Sequence, residues 1–389
     1  MKKLLLLSAA AMLACSASAQ TNESAEAGYT LTRDWGTTEN VPSAGWGSYA
    51  RSAGGYNGVI YINQSGKGLH SFSYDGTTVK HEQNTNVIAN GIGPSFDGNG
   101  NAIILNSYNT GNEMKQLVLW NSKTGETKTI DITIPEGYTA GKMSWTGRAA
   151  GDIWSEEGGA VFMIGGSDAN ILKVYIAKAE QVVDKTKVIE TSATPETYSV
   201  AQPLTNDPTK DDVIYRYRTG YDFYYNNGEK WVAYSRPENG KVCSNAGGDV
   251  VVLNGVTYTI EPAKFGSITY MDGFQIVERT NNTVVASHKE ASTSTIGNKN
   301  SYNTSLSVEK ISETKANIYQ LHPADTEGKG AFVAKYTFTV PDTETAIESV
   351  AVDANAPVEY YNLQGVKVAN PENGLFIKKQ GNKAVKVIL

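Results

Sequence analysis

Apolar residues recur along the chain in short blocks, each preceded by a turn of Gly, Asn, Asp or charged residues. Gly58–Asn63 (GVIYIN), Ala102–Ser107 (AIILNS) and Ala160–Gly165 (AVFMIG) open the series. Asp212–Tyr217 (DVIYRY), Val256–Glu261 (VTYTIE) and Asn317–His322 (NIYQLH) continue it, with starts 44, 58, 52, 44 and 61 residues apart. Gly93–Asn106 is the clearest unit: a short strand, the turn Asp97-Gly98-Asn99-Gly100-Asn101, then a wholly apolar strand. Gly, Asn and Asp accept the positive φ that tight hairpins require. Two more alternating segments follow most blocks, as in Gln116–Asn121 and Glu126–Ile132 across a Ser-Lys-Thr-Gly loop, or Ile171–Ala177 and Lys185–Glu190.

This pattern predicts four-stranded antiparallel units joined by loops of variable length. One such sheet has two open edges and buries neither face alone. Radial stacking answers both needs, so the expected fold is all-β, a six-bladed β-propeller over 29–340. A seven-bladed ring and a pair of β-sandwiches are the alternatives. Tyr29–Trp35 (YTLTRDW) is expected to supply the outermost strand of the last blade and latch the ring. Composition agrees: the chain holds 38 Gly and 22 Tyr and no long helix-forming run. Ala177–Lys185 reads as a strand end and its loop.

The termini differ from this body. Residues 1–19 form a signal peptide, with Lys2-Lys3, an apolar Leu4–Cys15 and Ala17-Ser18-Ala19 before Gln20. The alternative is a lipoprotein signal in which Met12-Leu13-Ala14 precedes a lipidated Cys15. Residues 20–28 (QTNESAEAG) read as a disordered leader and 341–345 (PDTET) as a linker. In 346–389 three strand signals, Val358–Leu363, Gly374–Lys379 and Ala384–Leu389, predict a small C-terminal β appendage. After cleavage Cys243 is the sole thiol, read as a small buried filler.

The run VEYYNLQGVKVANPENGLFIKKQGNKAVKVIL carries Tyr-Asn-Leu-Gln-Gly-Val, Gly-Leu-Phe-Ile-Lys and a terminal Lys-Val-Ile-Leu. It resembles the C-terminal tails of exported Bacteroidetes proteins, similar to type IX secretion sorting domains. The body resembles uncharacterised exported propellers of the same bacteria. The tail resemblance implies contact with a secretion machinery and a destination at the cell surface or in the medium. The periplasm, or the outer membrane through Cys15, is the alternative.

A net charge of −6 without a Lys/Arg cluster argues against nucleic acid. No apolar run after the N-terminus approaches the ~20 residues of a spanning helix, so the mature chain is not expected to span a membrane. Of four histidines only His70 and His81, on neighbouring strands, are placed to approach each other. Asp97–Asn101 opens like a calcium loop, but Ala102 and Tyr108 replace its Gly and Glu, which leaves a hairpin turn. Gly165–Ala169 imitates a hydrolase elbow but precedes a strand instead of a helix. The adjacent carboxylates Glu156-Glu157 and Asp211-Asp212 point apart, whereas glycoside cleavage needs two that face one bond. No catalytic residue, metal ligand or cofactor is assigned.

Aromatics at unit junctions remain. Pro42–Gly55 and Lys142–Gly151 each join a Trp to an Arg in a Gly-rich loop before a new unit. Trp46, Tyr49, Arg51, Trp145 and Arg148 are therefore the candidate ligand-binding residues at one channel mouth. Flat rings beside charged donors suit sugar rings or anionic glycans, although such rings also fill space between blades. The expectation is an exported, non-catalytic binder of a carbohydrate or envelope protein. A glycoside hydrolase or lyase with carboxylates from several blades, and a structural component of a surface assembly, are the rivals.

Overall fold

The computed structural model describes residues 23–37, 53–91, 93–106, 116–136, 138, 148–164, 170–191, 200–216, 223–235, 237, 248–263, 265, 273–289, 305–322, 332–342, 356–380 and 383–389. The chain divides into two compact units, Met1–Val340 and Pro341–Leu389. Among the described residues no helix is long and apolar enough to cross a membrane. The expected signal peptide at 1–19, Cys15, Cys243 and Gly165–Ala169 lie outside the described residues.

The first unit opens with β1 (Glu23–Ala25) and β2 (Thr30–Gly36), which join sheets formed much later in the chain. The first sheet then runs β3 (Ala53–Tyr56), β4 (Val59–Gln64), β5 (Gly68–Tyr74) and β6 (Val79–Asn84). The second is β7 (Ser95–Phe96), β8 (Asn101–Leu105), β9 (Gln116–Asn121) and β10 (Thr127–Asp131). In the third, β11 (Ala149–Gly151), β12 (Gly159–Ile164) and β13 (Ile171–Ala177) are followed by β14 (Glu180–Gln181) and β15 (Lys187–Ile189), both paired to β13. The fourth comprises β16 (Val200–Pro203), β17 (Val213–Arg216), β18 (Phe223–Asn226) and β19 (Trp231–Ala233). The fifth comprises β20 (Asp249–Leu253), β21 (Val256–Ala263), β22 (Gly273–Glu278) and β23 (Thr283–Lys289), extended by β1. The sixth comprises β24 (Ser305–Lys310), β25 (Lys315–His322) and β26 (Phe332–Thr339), completed by β2. All pairings are antiparallel, and the apolar blocks of the sequence are the second strands β4, β8, β12, β17, β21 and β25.

Period-two alternation explains why those strands read as continuous apolar runs. Successive side chains face opposite sides of a sheet, and here both sides are covered. In β8, Ile103 and Leu105 face the third sheet with Val161, Leu172 and Val174. Its Ala102 and Ile104 face the first sheet with Leu69 and Tyr61. Phe162 and Tyr175 of the third sheet meet Ala201 and Tyr215 of the fourth. Ile214 and Phe223 of the fourth meet Val250 of the fifth. Leu253, Ile260 and Phe274 of the fifth pack on Leu306, Tyr336 and Phe338 of the sixth. Tyr319, Leu321 and Trp35 of the sixth pack on Ile60, Ile62 and Phe72 of the first. Each cluster thus lies between sheets consecutive in sequence, and the last joins the sixth to the first.

Strand β2 pairs with β26 from Thr30↔Thr339 to Gly36↔Ala334, and the Tyr29 ring stacks on Phe338 at 6.1 Å. The expected disordered leader at 20–28 needs correction. Glu23, Ser24 and Ala25 pair with His288, Ser287 and Ala286 of β23. The buried His288 Nδ1 lies 2.9 Å from Glu23 Oε1 and the Ser24 and Ser287 hydroxyls are 2.9 Å apart, so backbone pairing and two polar contacts order a stretch with no apolar signal.

In the second unit β27 (Val358–Tyr361), β28 (Lys367–Val368), β29 (Leu375–Gln380) and β30 (Lys383–Ile388) form one sheet in the order β28-β27-β29-β30. This is one strand more than the sequence signals. The two-residue β28 is too short to carry a pattern. None of the described residues of this unit is buried.

Candidate functional site

The first strand of every sheet in the first unit contributes to one cavity of about 470 Å³. Tyr56 of β3, Phe96 of β7, Ala149 of β11, Pro203 of β16, Val250 of β20 and Val308 of β24 all line it. The turns that follow these strands form its polar rim, where Thr205, Asn206, Ser312 and Glu313 are exposed.

Arg148 immediately precedes β11 and lies at the end away from that rim. Its Nη1 donates to Asp249 Oδ1 at 2.8 Å and to the Val250 carbonyl at 2.7 Å. Asp249 is the first residue of β20 and is 1% exposed, and its Oδ2 accepts the Val308 amide at 2.6 Å. One ion pair therefore ties the third, fifth and sixth sheets together. Burial pushes the Asp249 carboxyl up, while the Arg148 guanidinium and the two amides pull it back.

Asp97 is a buried acid of the lining, at 4% exposure. Its Oδ1 accepts the Asn99 and Asn101 amides, each at 2.9 Å, and closes the turn. Its Oδ2 accepts Asn101 Nδ2 at 2.9 Å and the Ile153 amide of the third sheet at 3.0 Å. The stretch that resembles a calcium loop is thus a hairpin turn pinned to its neighbour. Burial raises the Asp97 carboxyl against the pull of these donors. Glu309 accepts the Asn57 amide at 2.9 Å, Asn317 Nδ2 at 3.0 Å and the Tyr319 hydroxyl. Glu313 pairs with Lys310 at 2.7 Å. Each carboxylate of the described lining therefore accepts hydrogen bonds from, or pairs with, a neighbouring group.

Tyr56 and Phe96 supply an aromatic wall, with ring centroids 5.9 Å apart and an interplanar angle of 21°. Close packing fixes this pair. A Cβ on Gly100 would come within 2.1 Å of the Tyr56 ring, and one on Gly54 within 2.8 Å of Phe96. Sequence reasoning missed both rings because they stand in the short segments before turns; the Gly-rich sequence around each was the available signal.

Of the five sequence candidates only Arg148 falls among the described residues, and it lines the cavity. Trp46, Tyr49, Arg51 and Trp145 lie outside the described residues. His70 and His81 do meet, with Nδ1 and Nε2 at 2.9 Å. His70 Nε2 donates to Gln64 Oε1 at 2.9 Å. The ring centroids are 5.2 Å apart with planes 22° from parallel, so the two nitrogens face each other across one proton. Glu156 pairs with Lys178, and Asp211 with Lys173 and Lys187, on exposed turns. Among the described residues no three His, Cys, Asp or Glu are grouped to hold a metal ion.

No protein-family model matches the chain, and no curated protein matches it. Among solved structures it is similar to a DUF4623 family protein from Bacteroides eggerthii, with a TM-score of 0.52 and 12% identity over 81% of this chain and 76% of that one. A protein of unknown function from Dyadobacter fermentans gives a TM-score of 0.43 and 12% identity over 81% and 100%. Trypanosoma rangeli sialidase gives 0.42 and 12% over 80% and 60%. At such identity the first likeness speaks to an all-β fold alone.

Proposed function

We propose that the first unit is a closed six-bladed β-propeller, exported from the cell, that binds a carbohydrate or protein ligand in its central channel without catalysing a reaction. The observation that carries this reading is the cavity, to which the first strand of all six sheets contributes. The cyclic succession of core clusters supports closure, because each sheet shares one cluster with the sheet before it and one with the sheet after it. Ligand sites favour such concave mouths at volumes of roughly 300–1,000 Å³. The commitments of Asp97, Glu309 and Glu313 to structural donors and to Lys310 favour binding over acid–base work. The N-terminal segment and the sorting-like tail at 346–389 favour export, with the cell surface or the medium as destination. Trp46, Tyr49, Arg51 and Trp145 precede β3 and β11 in the sequence and stay candidates for ligand binding on that ground alone. Screening the purified chain on a glycan array, with envelope extract as the protein arm, tests the reading. Retention of at least one glycan or one envelope protein is expected. Turnover of a glycan without stable retention would overturn it in favour of a hydrolase or lyase.

A further inference from the structure

We infer that the cavity ligand is the end of an uncharged glycan, entering past the turns that follow the first strands, with a sugar face on Tyr56 and its hydroxyls on Arg148. This rests on the binding reading above and adds the ligand class and the direction of entry.

Charge decides the class. Asp97, Glu309 and Glu313 line the cavity and Asp249 lies beneath it, against the two cations Arg148 and Lys310. Lys310 is held by Glu313 and Arg148 by Asp249. Among the described residues an anionic sugar would meet an excess of negative charge with no uncommitted cation to offset it, so a neutral polyhydroxyl ligand fits better. Donor supply points the same way. Arg148 spends only Nη1 on protein, so among the described residues Nε and Nη2 remain for ligand oxygens. Asn206 Oδ1 accepts the Gly151 amide at 2.8 Å, leaving its amide nitrogen at the rim. Hydroxyl groups, which accept and donate, satisfy both.

Shape decides orientation. The Tyr56 ring, backed by the buried Phe96, forms one wall, and the C–H face of a pyranose is the natural partner of an aromatic face. The exposed groups Thr205, Asn206, Ser312 and Glu313 mark the entrance. Arg148 and Asp249 stand at the other end, so the ligand reaches the guanidinium last.

Affinity for neutral and acidic glycans, measured by calorimetry on the tag-free full chain, tests this against three variants. Ser312→Trp plugs the rim from an exposed turn. Tyr56→Leu keeps apolar bulk and loses the ring. Arg148→Lys keeps the charge for Asp249 and loses the fork. A neutral glycan is expected to bind, with at least a tenfold loss in each variant and unchanged circular dichroism for Ser312→Trp. Neutral-glycan binding that survives Ser312→Trp and Tyr56→Leu would overturn the inference and leave the binding reading intact at another mouth. A preference for acidic glycans would overturn the class assigned. Retention of an envelope protein and no glycan would overturn the inference while the wider reading stands.

Discussion

Arg148 and Asp249 are 101 residues apart in sequence, yet Arg148 Nη1 and Asp249 Oδ1 are 2.8 Å apart. The pair joins the strand starts of the third and fifth sheets, and Val308 of the sixth donates to the same carboxylate. Removing one member of a buried pair leaves an uncompensated charge and typically costs about 3–5 kcal/mol. Asp249→Ala is expected to lose that much in urea denaturation. Arg148→Met combined with Asp249→Ala should recover part of it, because the second substitution removes the orphaned cation. Additive losses in the cycle would mean that the two side chains are not coupled.

Asp97→Ala removes the acceptor of three backbone amides and one side-chain amide. Orphaned buried donors cost about 1–3 kcal/mol each, and local relaxation leaves an expected total near 3 kcal/mol. Asp97→Asn should cost less, since its one carbonyl oxygen still closes the turn. Equal melting temperatures for the two variants would contradict this account.

His70 gives a pH dependence of fixed sign. Burial and the charge of His81 hold its pKa down to about 4, against about 6.5 in an unfolded chain. The native state therefore binds fewer protons than the unfolded state between those values. Stability from this group is complete above pH 6.5 and falls as pH drops toward 4, by on the order of 2–3 kcal/mol. Denaturation midpoints at pH 7.5 and 4.5 should differ more in the parent chain than in His70→Gln.

Glu23 is the only described side chain of β1 placed on a buried histidine, with 2.9 Å between Oε1 and His288 Nδ1. Glu23→Ala should cost about 1–3 kcal/mol, because it takes the carboxylate away from the buried His288 Nδ1. Faster hydrogen exchange confined to β23 is the expected signature. Unchanged protection there would mean that β1 contributes nothing to that edge.

Gly55 has no room for a side chain, since its Cβ would lie 1.8 Å from the Tyr319 ring. Gly55→Ala should force that fully buried ring out of place and cost several kcal/mol by overpacking (about 1–3 is usual). Near-ultraviolet circular dichroism would register the loss.

Much of this fold could be read from residues alone, for a physical reason. A strand covered on both faces must be apolar throughout, and a two-to-five-residue hairpin must carry Gly, Asn or Asp, so β4, β8, β12, β17, β21 and β25 advertise themselves. Asn57 and Asn254 do adopt positive φ, at 49° each. Strands β1 and β28 left no trace, because an outer edge strand pairs through its backbone and leaves its side chains largely exposed. The cavity was half legible. Arg148 is legible as a charge in a Gly-rich stretch, but nothing in the sequence marks its partner Asp249 apart from other acids before apolar runs. Tyr56 and Phe96 carry no signal of their own in the sequence, since their value comes from residues 40 positions apart stacking on each other.

The sixth sheet is built from Thr30–Gly36 and from three strands that begin at Ser305. Synthesis delivers the first of these near the outset and the others almost at the end, so the earliest piece must stay unpaired while nearly the whole unit is made. Such a chain reaches its native form late and all at once, and it is a natural client for whatever keeps a nascent polypeptide loose until its last strand emerges.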